Sequence, residues 1–363
     1  MLALWDEKEI GLLSERVRRG TFHRLKTIKL KLTDYCNLRC PKCDYWKKSE
    51  RDEISTEGIK KVIEEGAELG LMEVGLSGGE PTLRQDLGKI VSYGVERGID
   101  FRIISNGSYL SPDGLLSLVS RGLRKWTFSL DGHVAEVHDQ AVGKVNAFEK
   151  LIESISTMTS EKQKDGNVRE VNVLTVVSRQ NYQDLFHIVK LAYDLGVDSI
   201  RLFPYDFRQN SLNSSSTESD SLLMTGIEIR QFNSVIVPQI EQFVEETGMK
   251  VYPDYNIHIF GSSDAEIQKA ELGDVALGFY ENNTCFVSWH HLSISPSGNV
   301  YLCCKKPLST VGNIYQSSLS EIVNSERMDK IRLMFASKRH PQACSSCNSR
   351  TFENKYLGEK IGQ

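Results

Sequence analysis

Cys36, Cys40 and Cys43 form a C-x3-C-x2-C loop directly after an alternating apolar run, Ile28, Leu30 and Leu32. Three thiolates at chelating spacing with no fourth nearby suit a 4Fe-4S cubane, which normally takes four cysteines. The missing ligand leaves one iron open to a substrate or cofactor. A zinc knuckle is the competing reading, but zinc favours closed four-ligand sets and no histidine lies close by to complete one. A second group, Cys285, Cys303, Cys304, Cys344 and Cys347, ends in a C-x2-C pair. No secretory signal precedes these cysteines, so metal ligation is the expected use rather than disulfides.

The elements that must position the first loop are short β-rich runs alternating with amphipathic segments. Strands are expected at Thr27–Leu32, Glu73–Leu76, Phe101–Ile104, Lys125–Leu130, Glu170–Val177 and Ser199–Phe203. Ser55 suits the N-cap of the helix containing Ile59, Val62 and Ile63, and Gly70, Gly98 and Gly196 suit helix stops. Six βα units in series predict an α/β fold, a partial (β/α)6 TIM-like barrel, with its site at the C-terminal strand ends. Arg208–Ser221 reads as a loop rich in serine and asparagine. Ile227–Val244 reads as a helix kinked or broken at Pro238.

Further motifs sit where such a barrel gathers its site. Ser77-Gly78-Gly79-Glu80-Pro81 follows the second strand, Ser105-Asn106-Gly107 the third, and Ser129-Leu130-Asp131-Gly132 the fourth. Together with the cysteine loop they resemble the radical S-adenosylmethionine (SAM) superfamily. The resemblance implies that Cys36, Cys40 and Cys43 hold the cluster and that its open iron chelates the methionine moiety of SAM. One electron then cleaves SAM to a 5′-deoxyadenosyl radical, with a flavodoxin- or ferredoxin-type protein as reductant. It also implies that Ser77, Gly78, Gly79, Glu80 and Pro81 contact SAM, with Ser105, Asn106, Ser129 and Asp131 at the ribose and methionine. A side chain at Gly79 is expected to block SAM while leaving the cluster loop alone. The family usually has an aromatic residue before the third cysteine; here it is Lys42, with Tyr45 and Trp46 following. His138, read alone, is a surface or helix-cap residue.

Cys285 and Cys303 flank a strand–turn–strand pattern with Pro296-Ser297-Gly298 at the turn. This resembles the auxiliary-cluster domain of SPASM/Twitch enzymes, in the short Twitch form with one 4Fe-4S cluster on Cys285, Cys303, Cys344 and Cys347. The expected organisation is an N-terminal extension (1–26), the barrel (27–204), a connecting helical and loop region (205–284) and a small C-terminal Twitch-type auxiliary-cluster domain with its tail (285–363). A closed auxiliary cluster suits electron transfer, which implies two-electron oxidation of a substrate, as in a butirosin-pathway dehydrogenase with the same short arrangement. Cys304 is either an inert thiol or a hydrogen donor that returns an atom to a substrate radical, the epimerase outcome.

Only about 26 residues precede the first strand, too few for a leader-recognition domain. A small molecule of sugar or aminocyclitol type is therefore expected, with a peptide as the alternative. Tyr205, Asp206, Arg208, His290 and His291 are the polar residues near the expected cavity. An iron–sulfur carrier or sensor would need the cysteines but not the strand-end motifs. A net charge of -4 gives no footprint for nucleic acid, no run reaches membrane-span length, and a cytoplasmic enzyme is expected.

Overall fold

A computed structural model describes residues 5–205, 221–253, 257–275, 278–303, 310–341, 344, 347 and 350–362. Six strands with helical crossovers form its centre: β1 (Thr27–Thr33), β2 (Glu73–Gly78), β3 (Asp100–Ser105), β4 (Lys125–Ser129), β5 (Glu170–Val177) and β6 (Ser199–Pro204). All pair in parallel, in chain order. A two-residue β7 (Val251–Tyr252) extends the β6 edge. Beyond β1 the sheet continues through β8 (His291–Ile294), β9 (Asn299–Tyr301) and β10 (Gly312–Asn313), giving ten strands in the order β10-β9-β8-β1-β2-β3-β4-β5-β6-β7. The barrel is therefore open. The cysteine-flanked hairpin is part of its sheet, because β8 pairs in parallel with β1, Thr27 opposite His291 and Leu30 opposite Ile294.

Helices cover the outer face. They include α2 (Thr56–Glu68), α3 (Leu87–Val95), α4 (Pro112–Ser120), α5 (Ala135–Val142), α6 (Ala147–Asp165) and α7 (Leu185–Asp194). Ser55 caps α2 by accepting from Gly58 N at 3.0 Å, and Gly70, Gly98 and Gly196 all take positive φ. The core lies between helices and sheet. Ile28, Leu30, Leu32, Phe101, Ile103, Trp126 and Phe128 are all within 1% of full burial. Their alternate neighbours Lys29, Lys31, Arg102, Ile104, Thr127 and Ser129 are half-buried. A period of two places these on the opposite, inner face, so the interior is reached by solvent rather than packed shut.

The helix expected over 227–244 is interrupted. Gly226–Gln231 is α-helical, Phe232–Ile236 is a π turn, and Val237–Thr247 resumes with Pro238 in its first turn. Proline has no N–H for a continuous α ladder, and the wider turn absorbs that loss. The serine-rich stretch falls, apart from Ser221, outside the described residues. The N-terminal extension carries α1 (Glu7–Arg19), which packs on helices Glu326–Ala336 and Thr351–Ile361 of the C-terminal region.

Candidate functional site

The cysteine loop leaves the C-terminal end of β1 and is tied down along its length. Asp34 N donates to Asp52 O at 2.9 Å, Glu80 N to Tyr35 O at 2.8 Å and Arg39 N to Val142 O at 3.1 Å. Trp46 Nε1 donates to Cys40 O at 2.9 Å, which fixes that ring against the loop backbone. Cys36 and Cys40 pack on Leu38, Val142 and Ala147. Burial pushes the Cys36 thiol up to about 11 and Cys40 up to about 12, and raises Cys43 too. Backbone N–H groups of Leu38 and Asn37 face the Cys36 sulfur, and that of Tyr45 faces Cys43.

Half-buried thiols near enough to feel one another's charge, with N–H groups aimed at two of the sulfurs, are a donor set suited to an iron–sulfur cluster. Among the described residues, no three His, Cys, Asp or Glu side chains come together closely enough to hold a single metal ion. A cubane carries each thiolate on a different iron.

The Gly-Gly turn has a tighter role than the sequence suggests. Gly78 takes φ +131, and a β-carbon there would lie 2.5 Å from Thr33 O. Gly79 N donates to Thr33 O at 2.7 Å, and a β-carbon on Gly79 would overlap Tyr35 O and lie 2.6 Å from its carbonyl carbon. The amides of Gly79 and Glu80 thus lock β2 onto the cysteine loop rather than facing outward. The expectation that a side chain at Gly79 would spare that loop is corrected.

Glu80 is 1% exposed. Its carboxylate accepts from Thr82 N at 3.0 Å and Thr82 Oγ1 at 2.7 Å, from Ser105 Oγ at 2.9 Å and from Asn106 N at 2.8 Å. Burial raises its pKa even so. Glu80 and Ser105 therefore join the ends of β2 and β3, while Pro81 starts the turn that Glu80 caps. Ser77 is buried on the inner register of β2.

Asn106 reaches the metal loop. Its Nδ2 donates to Asn37 Oδ1 at 2.9 Å and lies 4.0 Å from Cys36 Sγ. Its Oδ1 accepts from Ser108 N at 2.9 Å and Ser108 Oγ at 2.8 Å.

At the end of β4, Ser129 is half-buried on the inner face, and Asp131 is buried. One Asp131 oxygen pairs with Lys42 Nζ at 2.5 Å and accepts from Val176 N at 3.1 Å. The lysine that replaces the family's usual aromatic residue thus spans from the cysteine loop to the end of β4. His138 is buried, not at the surface, and its Nδ1 accepts from Asp131 N at 3.2 Å.

The second cysteine group gathers at the opposite end of the sheet. Cys285 precedes the short helix Val287–His290 that enters β8, and Cys303 follows β9 on its return. Both therefore lie level with the start of β1, since Arg24 N and Lys26 N donate to Trp289 O and His290 O. Cys285 feels the charges of Cys344 and Cys347, and Cys344 that of Cys303. Burial raises Cys285 strongly and Cys344 to about 12. Asn354 Nδ2 lies 3.8 Å from Cys285 Sγ. Arg350 pairs with Glu353 at 2.8 Å and donates to His291 Nδ1 at 3.0 Å, which also meets Thr27 Oγ1 at 2.8 Å. His290 and His291 are buried packing residues at this end, and Tyr205 is buried too. Cys304, Asp206 and Arg208 lie outside the described residues.

Sequence reasoning missed two features. One is the Asn37–Asn106–Ser108 network. The other is the charged lining of the bore, although lysines at alternate positions of a barrel strand, Lys29 and Lys31, were a usable signal.

The radical SAM superfamily model matches residues 30–192, and the SPASM iron-sulfur cluster-binding domain matches 285–348. An AdoMet-dependent heme synthase from Methanosarcina barkeri is 27% identical over 354 residues, 92% of this chain and 95% of that protein. A PqqA peptide cyclase from Bradyrhizobium diazoefficiens is 31% identical over 193 residues, 53% of this chain and 49% of its own length. The solved structure of anSMEcpe with bound AdoMet superposes with TM-score 0.64 at 15% identity, covering 92% of this chain and 96% of that one. Streptococcus suis SuiB bound to precursor peptide SuiA gives 0.63 at 14% identity, over 88% of this chain and 69% of its own.

Proposed function

We propose, for a chain that belongs to the radical SAM superfamily and carries a C-terminal SPASM iron–sulfur domain, the two-electron oxidation of a small molecule held in the bore between its two cysteine sets. The observation that carries this reading is their placement. Cys36, Cys40 and Cys43 stand at one end of β1, the Cys285 group at the other, and a half-buried polar face runs between them. Climbing β1 spans about 20 Å at ~3.3 Å per residue, enough for a small substrate. Bound at the first set, the cluster and SAM supply a 5′-deoxyadenosyl radical, and a closed cluster at the second set supplies an electron acceptor.

The chain's own residues position and shield that chemistry. Glu80 and Ser105 fix the strand ends around the site, Asn37 and Asn106 brace the loop beside Cys36, and Lys42 with Asp131 ties the loop to β4. Arg350 and Asn354 stand by the second set. The relative matched along nearly its whole length is named a heme synthase, which favours a small molecule. The match to the peptide cyclase, confined to half of each chain, makes a peptide the second reading.

The test is anaerobic incubation of the iron-loaded chain with SAM and reductant, measuring 5′-deoxyadenosine with and without candidate substrates. Oxidation predicts a product lighter by two hydrogens with one SAM consumed, and Cys304→Ala retains it. Epimerisation predicts one solvent deuterium gained in D2O by the wild type and loss of product in Cys304→Ala.

A further inference from the structure

The inner face of the barrel carries more positive than negative charge, and among the described residues its cations without an ion pair stand on two walls, β1 and β6, that do not pair with each other. Around the sheet register, Lys29 lies beside Gly75, Gly75 beside Arg102, Arg102 beside Lys125 and Lys125 beside Glu170. Lys31 lies beside Ser77, two positions above Lys29 on the same face. Arg201 lies beside Leu174 and Tyr252.

Arg102 and Lys125 on this face are neutralised by its carboxylates. Arg102 Nε pairs with Glu73 at 2.6 Å, and Lys125 Nζ pairs with Glu73 at 2.8 Å and Asp100 at 2.7 Å. Lys29, Lys31 and Arg201 have no carboxylate partner among the described residues. Lys31 lies 5.7 Å from the Tyr45 ring and Arg201 5.5 Å from that of Tyr252. Burial, then repulsion from the Arg102 guanidinium, depress Arg201 below its usual value. Glu170 and Glu73 attract Arg201 only weakly and through space, and half-buried cations with no ion-pair partner are costly unless a bound anion completes them. Gly75 puts no side chain between Lys29 and Arg102: the atoms nearest to a β-carbon there, two Arg102 carbons and Ile28 O, would lie no closer than 3.6 Å.

From this we infer that the substrate carries at least two separated anionic groups, carboxylate or phosphate, one met by Lys29 and Lys31 on β1 and the other by Arg201 on β6. The two sites sit on strands that do not pair, with β2 to β5 between them in the sheet order, so each is completed by its own anionic group. Guanidinium binds carboxylate or phosphate through two parallel N–H donors, and the paired lysines offer point charges about 7 Å apart along the strand. A cationic aminocyclitol would meet like charge on both sides. The inference deepens the small-molecule oxidation proposed above and rests on it.

The probes are benzene-1,3,5-tricarboxylate, fructose 1,6-bisphosphate, uncharged myo-inositol and cationic 2-deoxystreptamine. Each is titrated calorimetrically into the full iron-loaded chain with SAM present and no reductant. The expected result is binding of one or both anions, with inositol and deoxystreptamine silent; the tighter anion identifies carboxylate or phosphate. Lys29→Gln and Arg201→Gln each weaken the anion about tenfold or more, the loss of a charged hydrogen bond. Iron content and SAM affinity stay at wild-type levels, and Lys360→Gln on the last helix changes nothing. If either variant loses iron, Lys31→Gln, at a single site further from the second cysteine group, takes its place. Anions that bind no better than inositol, or that bind the bore variants as tightly as wild type, overturn the inference. SAM cleavage in the same preparation is read separately, so its absence counts against the oxidation reading and leaves the binding result standing.

Discussion

Gly79→Ala is a single added carbon aimed at the joint between the two SAM motifs. The β-carbon would overlap Tyr35 O, lie 2.6 Å from its carbonyl carbon and 3.0 Å from Asp34 O. These are backbone atoms one and two residues before Cys36, and no rotamer change relieves them. Either β2 or the cysteine loop must move by several tenths of an ångström or more. Overpacking of this kind costs about 1–3 kcal/mol. Separating the strands also stretches two backbone bonds, Gly79 N to Thr33 O and Glu80 N to Tyr35 O, at ~1 kcal/mol each. A total near 3 kcal/mol displaces the loop by roughly two powers of ten in equilibrium. The variant should lose the first cluster and keep the second, so iron and sulfide fall to about half, from two cubanes to one. Gly11→Ala, with nothing within 4 Å of the added carbon, is the control. Iron content at wild-type level together with lost SAM binding would show that Gly79 serves the cofactor and not the loop, and would refute this reasoning.

Replacing Cys36, Cys40 and Cys43 together by alanine should also halve iron, and it should abolish 5′-deoxyadenosine formation; retained cleavage would remove the assigned site. Lys42→Ala leaves the buried Asp131 carboxylate without its ion-pair partner, so stability should fall by about 3 kcal/mol. The pair Lys42→Met with Asp131→Asn should recover much of it in a thermal double-mutant cycle. At the far end, burial holds His290 down at about 4, so the unfolded chain binds a proton there between pH 6.5 and 4 that the folded chain refuses. Stability should therefore fall as pH drops through that window, by about 2 kcal/mol from pH 6.5 to 5 for this residue alone. His290→Gln should flatten that part of a urea-melt pH profile, and an unchanged slope would disprove the assignment.

The strands of the barrel were legible because each is a short β-rich run between helix signals, and their starts agree to within a residue. Ser55 and the glycine stops were legible because capping and left-handed turns are local chemistry. The cysteine spacing set out the two groups that the fold places at opposite ends of β1. What the chain could not reveal locally was pairing between distant segments. Nothing around His291 announces that its strand joins β1, because that ladder depends on a neighbour some 264 positions away. The use of the Gly79 and Glu80 amides was hidden for the same reason, since their acceptors belong to the preceding loop. Lys42 looked only like a departure from the family's aromatic position because its partner, Asp131, is a feature of another strand end.

The docking of the first helix onto the last has a consequence for how the chain is made. Trp5 Nε1 donates to Glu353 at 3.1 Å across 348 residues, and β1 receives β8 only after most of the sequence has been synthesised. Until then β1 presents an unpaired edge, and its amino-terminal helix has no surface to cover. Closing such distant contacts is slow, and until β8 is added the barrel lacks that edge. Cys36, Cys40 and Cys43 are synthesised well before Cys285, Cys303, Cys344 and Cys347, so the two sets become available at different times.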